Sequence, residues 1–351
     1  VAGQLVRRSW LIIPATNAEL IERSWSLGAD VIVFDLEDLV HDDRKHAARE
    51  NIPHGIEQAR RGGAEVFVRC DLELLYADLQ ASVWRGLQGV ILPKVAAAEQ
   101  VREAEETLAC FEAEHGVMQA GLLGEVNEFD EPRTIENSLE LHLSLETAKG
   151  NYAVEELIGA SPRTRSISLG RADLVMDLRP EPNGDLHLMP YLMHRLVLAA
   201  RATGVAPIGA WWQGSSRGLR ASPGDTLQAA RLGRQAGFKG ALCVTPEQVE
   251  PLNRGFTPSD EELRQADRFV RAFEDAAQSG RSYGQVDGML VDSHLAAAAA
   301  HVQEWAAACR ARDGHKRRTL ERFAPSPAAT GEGRGEGAAS AEGMLGQRTA
   351  E

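Results

Sequence analysis

Long apolar runs are absent from this chain of 351 residues. No stretch approaches the ~18 consecutive apolar residues that a membrane span requires, so neither a spanning helix nor a membrane partner is expected. The opening VAGQLVRRSWLIIP sets two arginines before a short apolar run, but Pro14, Thr16 and Asn17 end that run too early for a signal peptide. Cysteine is scarce and scattered. Cys70, Cys110, Cys243 and Cys309 make no CxxC spacing, which excludes a zinc cluster or a disulfide framework and reads as free thiols in a reducing, cytoplasmic setting. Positive charge is in deficit, with 38 Lys and Arg against 51 Asp and Glu for a formal net charge of −13. Such a chain repels phosphate backbones, so no nucleic-acid partner is expected, although a local arginine patch can still hold a small anion. No strand feeds a GxGxxG loop, which removes the signature of a doubly wound dinucleotide fold.

The remaining composition, 43 % hydrophobic and 25 % charged, is that of a globular chain with a full core. Short apolar segments recur at Ser9–Ile13, Val31–Phe34, Glu65–Val68, Gly89–Leu92, Leu139–Leu145, Arg165–Leu169, Ala206–Trp211 and Gly240–Val244. Helical stretches separate them, most clearly 45–61, 97–115, 188–203 and 226–235. Asn17 is a candidate N-cap for the first helix. Apolar strands alternating with helices argue for parallel βα units, and eight of them predict a (β/α)₈ TIM barrel over residues 7–257. A C-terminal helical extension follows over 258–314, opened by a capping box at Ser259 and Glu262 and continued by an alanine-rich helix to about Arg312. The acidic stretch 119–137 reads as a loop, and the Pro/Gly/Ala/Glu-rich residues 315–351 read as a disordered tail.

A TIM barrel carries its chemistry where strands finish. Polar residues at or beside the strands are Arg8 before the first, Asp35, Glu37 and Asp38 after the second, Arg69 after the third and Lys94 after the fourth. Glu146 follows the fifth, and Arg171 and Asp173 the sixth. Glu146 and Asp173 can share a hard divalent cation, magnesium first, with water and substrate oxygens completing its shell. They can equally be solvated or ion-paired carboxylates. Arg69 suits a bidentate grip on a substrate carboxylate, or an ion pair with the acidic cluster. The acids at 35–38 can orient waters or form a rim charge network with Arg8 and Lys45. Lys94 is placed for Schiff-base chemistry, the competitor of a metal mechanism. His41, His46 and His54 lack HExxH spacing and read as solvated. Trp211 and Trp212 wall a pocket or pack the rim.

In order along the chain stand RRSWLIIPATN (7–17), VIVFDLEDLVHDDRKHAAR (31–49), FVRCD (67–71), GVILPKV (89–95), LETAKG (145–150), SLGRADL (168–174), GFKGALCVTPEQVEPLN (237–253), FTPSDEELRQA (256–266) and GMLVD (288–292). In these motifs the chain resembles the HpcH/HpaI aldolase/citrate lyase family, in particular citrate lyase beta subunits and malyl-CoA lyases. It departs from the family pattern at Pro14-Ala15, where PG is usual, and at Val244-Thr245-Pro246, where IHP is usual.

The resemblance implies a TIM barrel assembled as a homotrimer or hexamer, with magnesium (manganese as a substitute) on Glu146 and Asp173. It implies that Arg69 binds the acid end of the substrate and steadies enolate charge. Glu37 and Asp38 would hold the waters around the metal, and Asp292 would reach a neighbouring subunit's site to transfer a proton. Arg8 and Lys94 are the cationic candidates for binding the CoA thioester. The implied reaction is carbon–carbon cleavage or formation, as an oxo-acid lyase acting on malyl-, citramalyl- or citryl-CoA to give an acyl-CoA and a 2-keto acid. The alternatives are a metal-dependent aldolase of a free hydroxy-keto acid and a malyl-CoA-type thioesterase.

Overall fold

The structure, a computed structural model, describes residues 5–117, 138–178, 188–212 and 221–323. Eight parallel strands, β1 (Ser9–Pro14), β2 (Val31–Asp35), β3 (Glu65–Arg69), β4 (Gly89–Leu92), β5 (Glu140–Leu145), β6 (Thr164–Leu169), β7 (Ala206–Ile208) and β8 (Ala241–Cys243), pair in the order β7-β6-β5-β4-β3-β2-β1-β8. Between β7 and β8 there is no ladder. Two backbone bonds close the gap instead: Lys239 N–H donates to Pro207 O at 2.9 Å and Gly209 N–H to Gly240 O at 2.6 Å. The predicted barrel is therefore present, with β7 and β8 shorter than their apolar runs suggested.

Alternation along the strands sorts the side chains into two cores, as a pleat of period two requires. Leu11, Ile13, Ile32, Phe34, Val66 and Val68 face outward into the main cluster shared with the helices. Trp10, Ile12, Val31, Val33, Phe67, Ile91 and Ile208 fill the barrel interior. There the Trp10 ring sits 4.9 Å from Phe67 and 5.1 Å from His142, centroid to centroid. Below this layer Arg7 spans the barrel floor, bonded to Glu65 and Glu140 at 2.6 Å each and packed over the Trp10 and Phe67 rings.

Local signals set the helix ends. Asn17 accepts from Leu20 N–H at 3.0 Å, and Ser259 with Glu262 forms the expected capping box of the helix Asp260–Gln278. The predicted single helix over 45–61 is two, Lys45–Glu50 and Ile52–Arg60. Within the segment expected to be helical, Asp287 and Gly288, with φ of 51° and 81°, form the turn of an antiparallel hairpin between β9 (Gly284–Val286) and β10 (Met289–Val291). The final helix, Ser293–Phe323, packs on Asp260–Gln278 through Ala266, Phe269, Ala296 and Ala299. It continues through 315–323, where composition suggested a tail. Those residues hold neither Pro nor Gly, and Lys316 docks them: it is buried and bonds to Asp30 at 2.6 Å. Residues 324–351 and the loop expected at 119–137 lie outside the described residues. All four cysteines are free, and among the described residues no helix is long and apolar enough to cross a membrane.

Asp30, fully buried, is the hub of this attachment. Its carboxylate accepts from Arg8 Nε at 2.8 Å, Arg8 backbone N–H at 2.9 Å and Lys316 Nζ, and its carbonyl accepts from Arg312 Nη2 at 2.6 Å. Burial pushes the acid's pKa up, but the hydrogen bonds and charge of Arg8, then Lys316 and Arg312, outweigh it and hold the pKa at about 2 against an ordinary 3.8. Asp30→Asn should cost about 3–5 kcal/mol, because it leaves buried cations without their counter-charge. Since the folded pKa lies below the unfolded one, the stability that Asp30 contributes is complete above about pH 4 and is lost as pH falls towards about 2. Urea midpoints measured across that range check both points. A variant with an unchanged midpoint at pH 7 would contradict the first, and an unchanged acid slope the second.

Candidate active site

Every inward-facing residue one step past a strand end opens on the same mouth, and the in-phase pairing of the strands fixes which residues those are. Asp35 lies opposite Arg69 in the β2–β3 ladder, and Leu145 opposite Leu169 in β5–β6, which brings Glu146 beside Gly170. The backbone confirms that neighbourhood: Gly170 N–H donates to Leu145 O, and a Cβ built on Gly170 would stand 2.2 Å from Glu146 Cγ and 2.6 Å from Cδ. Only glycine leaves room for the glutamate. Glu146 and Asp173 line a cavity of about 220 Å³ together with Arg69, Arg171, Ser144 and Ser168. Met193, Ile208, Trp212 and Phe238 form its apolar side.

The electrostatics of the polar side are unusual for surface-facing groups. Glu146 is 3 % exposed, and its Oε2 has no hydrogen-bond partner. Burial pushes its carboxyl up to about 7, helped by the nearby charges of Glu37 and Asp173, while a hydrogen bond from Ser144 and the charge of Arg69 pull the other way. Arg69 is bonded to Asp35 through Nε and to Glu37 through Nη1 at 3.3 Å. Those carboxylates and Glu146 overcome the cost of burial and raise its pKa further. Arg171 is the opposite case: its Nη1 is buried with no hydrogen-bond partner among the described residues, and burial lowers its pKa.

Beside the cavity lies a second hollow lined by Glu37, Asp38, Lys45, Asp71 and Lys94. Lys94 Nζ bonds to Glu37 at 2.5 Å and to Asp38 at 2.9 Å from a backbone turned to φ 54°, a left-handed conformation that costs a non-glycine residue. The two acids outweigh the partial burial of the amine and raise its pKa. Burial raises the Glu37 carboxyl, whereas for Asp38 the Lys94 hydrogen bond outweighs burial and holds its carboxyl low.

The structure thus brings together Arg69, Glu146 and Asp173, with Glu37 attached through Arg69, and Asp38 and Lys94 alongside. It does not bring Arg8 there. Arg8 precedes β1, and residues before a parallel strand lie at the opposite end of the barrel. It is 1 % exposed and bonded to Asp30 and Asp313, where it holds the fold together, away from the cavity of Glu146 and Asp173. Asp292 is also away from this chain's own cavity: it follows β10 and accepts from Leu295 N–H at the start of the last helix. His41, His46 and His54 pair with surface carboxylates, as expected of solvated histidines. Trp212 lines the cavity, and Trp211 lies 5.0 Å from His194, ring to ring.

One feature escaped the sequence reading although its signal was there. In ELHLSLE, residues 140–146, every second residue is polar, and those residues face inward. His142 is wholly buried between Ser166 Oγ (2.7 Å) and Ser168 Oγ (2.8 Å), and Ser168 donates to Ser144 at 3.2 Å. Desolvation, then the charge of Arg7, lowers the imidazole's pKa to about 3, so the ring is neutral. A chain of hydrogen bonds therefore runs from Ser144, two residues before Glu146, through Ser168 to His142.

The model of the HpcH/HpaI aldolase/citrate lyase family matches residues 8–246, about two thirds of the chain. The chain belongs to that family. Among curated relatives it is 31 % identical to a (3S)-malyl-CoA thioesterase of Cereibacter sphaeroides over 82 % of this chain and 90 % of the other. It is 27 % identical to the citrate lyase subunit beta of Leuconostoc mesenteroides subsp. cremoris over 87 % and 94 %. Among solved structures, CitE of Mycobacterium tuberculosis in complex with magnesium, acetoacetate and coenzyme A superposes with a TM-score of 0.60 at 23 % identity, covering 85 % of this chain and 97 % of that one. A citrate lyase of Burkholderia xenovorans gives 0.62 at 18 %, covering 90 % and 96 %. At these identities the two structures support the fold alone.

Whether magnesium suits this member of the family depends on its donors. Among the described residues no three His, Cys, Asp or Glu side chains converge as a cage. Two carboxylates in one cavity, one with a buried oxygen that has no partner, nevertheless match a cation that takes one or two carboxylates and keeps other positions for water and substrate. The steric dependence of Glu146 on Gly170 can be measured on its own. Gly170→Ala should cost about 1–3 kcal/mol by overpacking and almost nothing in a Glu146→Ala background, where the clashing atoms are gone. Equal losses in both backgrounds of this double-mutant cycle would show that the glycine serves another purpose.

Proposed function

We propose that the chain is a magnesium-dependent carbon–carbon lyase that cleaves, or in reverse forms, a 3-hydroxyacyl-CoA of the malyl-, citramalyl- or citryl-CoA type, giving an acyl-CoA and a 2-keto acid. The observation that carries this reading is the Glu146 carboxylate, buried with an unpartnered oxygen beside Asp173 and Arg69 in one cavity at the strand ends. Glu146 and Asp173 would hold the metal, with manganese as a substitute. When bound, it supplies Lewis-acid stabilisation of negative charge on substrate oxygens.

The rest of the task falls to side chains. Arg69, fixed by Asp35 and Glu37, is oriented to bind the substrate's carboxylate and to steady charge that develops as the bond breaks. Glu37 and Asp38, each tied to Lys94, would order water at the edge of the site. Met193, Ile208 and Phe238 keep the opposite wall dry. Cleavage gives up the hydroxyl proton to water ordered at the edge of the site, turns the carbinol carbon into the keto carbon and leaves the electron pair of the broken bond on the carbon next to the thioester. That carbon must then take a proton, and Asp292 of a neighbouring copy in a trimer or hexamer is the donor we assign. Lys94 is a poor Schiff-base nucleophile here, because Glu37 and Asp38 hold its amine charged.

A second reading, hydrolysis of the thioester, is favoured by the 31 % identity to a (3S)-malyl-CoA thioesterase. One assay separates the two. Candidate hydroxyacyl-CoAs and free hydroxy-keto acids are incubated with magnesium or with EDTA, and products are followed as 2-keto acid plus acyl-CoA, or as free CoA plus hydroxy acid. We expect keto acid only with magnesium. Release of CoA without keto acid would replace the lyase by a thioesterase, and turnover of the free acids alone by an aldolase. Glu146→Gln and Asp173→Asn should each lower turnover by about 10²–10³-fold without unfolding the barrel, as read by circular dichroism. Near-normal turnover with magnesium in either variant would sink the metal assignment.

A further inference from the structure

Of the two arginines in the cavity wall, one is already engaged. Arg69 gives its Nε to Asp35 and its Nη1 to Glu37. Arg171 lines the same cavity with Nη1 buried and without a hydrogen-bond partner among the described residues. A guanidinium cannot shed its proton to relieve that cost, so a buried N–H without an acceptor calls for an anion. The described residues do not provide one: the nearest acids of the wall, Glu146 and Asp173, are the pair assigned to the cation, and Met193, Ile208, Trp212 and Phe238 form an apolar side. The acceptor has to arrive with the ligand. Arg7 is held by Glu65 and Glu140 and Arg8 by Asp30 and Asp313; Arg49 and Arg312 each leave one buried nitrogen without a hydrogen bond but are ion-paired to Asp78 and to Asp30 and Glu65, whereas Arg171 has no ion pair among the described residues.

We propose that Arg171 is a specificity-determining residue, which binds a second carboxylate on the keto-acid half of the substrate and so selects dicarboxylic over monocarboxylic 2-keto acids. This rests on reading the cavity as the keto-acid site. Arg69 takes the carboxylate next to the reacting carbonyl; Arg171, at the first turn after β6, takes the one at the far end.

The test uses two keto acids of matched size, oxaloacetate and 2-oxobutanoate, which differ by a carboxylate in place of a methyl group. Their affinities are measured by titration with magnesium present, on the full chain. The wild type should bind oxaloacetate about tenfold or more tightly than 2-oxobutanoate, the scale of one charge-assisted hydrogen bond. In Arg171→Gln the ratio should fall to about twofold or less, and Arg171→Lys, which keeps the charge, should retain part of the preference. Because the readout is a ratio within each protein, a general loss of affinity does not imitate the effect. No preference in the wild type, or a ratio that survives in Arg171→Gln, overturns the role of Arg171 while leaving the keto-acid site intact. Failure of the wild type to bind either acid overturns the keto-acid reading, and this inference with it.

Discussion

Everything in this molecule that bears on chemistry depends on the register of eight parallel strands. With Asp35 opposite Arg69 and Leu145 opposite Leu169, the residues that end the strands face one another across the mouth in fixed pairs. A slip of one residue in β5 would turn Glu146 and His142 outward into the apolar layer and bring Leu145 and Leu143 into the cavity. Such a slip is opposed on both faces at once. The outer face needs its leucines against helices, and the inner face needs His142 between the serines of β6. The polar residues inside the barrel are thus part of what holds the site in place.

The two ends of the barrel treat buried charge in opposite ways. At the N-terminal end each buried cation meets its carboxylate: Arg7 with Glu65 and Glu140, Arg8 and Lys316 with Asp30. This end also anchors the last helix, so its ion pairs act as an interlock between the barrel and the C-terminal extension. At the other end one carboxylate oxygen of Glu146 and one guanidinium nitrogen of Arg171 are buried and unmatched among the described residues. Unmatched buried groups destabilise a fold. Other buried polar atoms are unmatched too, Arg312 Nε and Thr164 Oγ1 at the N-terminal end among them, but Glu146 and Arg171 bring unmatched groups of opposite charge into one cavity, the pattern of a site prepared for a ligand of mixed charge.

Much of this could be read from the residues. Apolar runs of strand length separated by helical periods specified the barrel, and the habit of reading polar residues next to strands found Arg69, Glu146, Asp173 and the acids at 35–38. The same habit misplaced Arg8, because adjacency to a strand does not say which end of it a residue occupies. In a parallel barrel the two ends are different surfaces. The partners that explain Arg8 and the last helix were beyond sequence reasoning for a physical reason: Asp313 lies 305 positions away and Lys316 is 286 from Asp30. Residues 315–323 hold neither Pro nor Gly and are rich in helix formers, so the helix could have been read on to there; what the residues could not show is the ion pair of Lys316 with Asp30 that docks it. The alternation in ELHLSLE was legible in principle, yet a histidine and two serines on a strand carry no meaning until the neighbouring strand supplies Ser166 and Ser168.

The relatives pose a sharper question, since proteins named for lyase and for thioesterase activity share this scaffold. The two chemistries differ in what approaches the thioester. Hydrolysis needs a water held at the thioester carbon. Carbon–carbon cleavage needs the carbanionic carbon kept from bulk water until an assigned acid protonates it. Two sides of this cavity bear on that choice. The side chains of Met193, Ile208 and Phe238 offer water no partner, and Arg69 and Arg171, among the polar groups of the lining, are cations that do not accept its proton. The two carboxylates of the wall among the described residues, Glu146 and Asp173, are the pair we assign to the cation, and a carboxylate so held would not be free to take a proton. That balance of groups is what supports our proposal of carbon–carbon cleavage over hydrolysis.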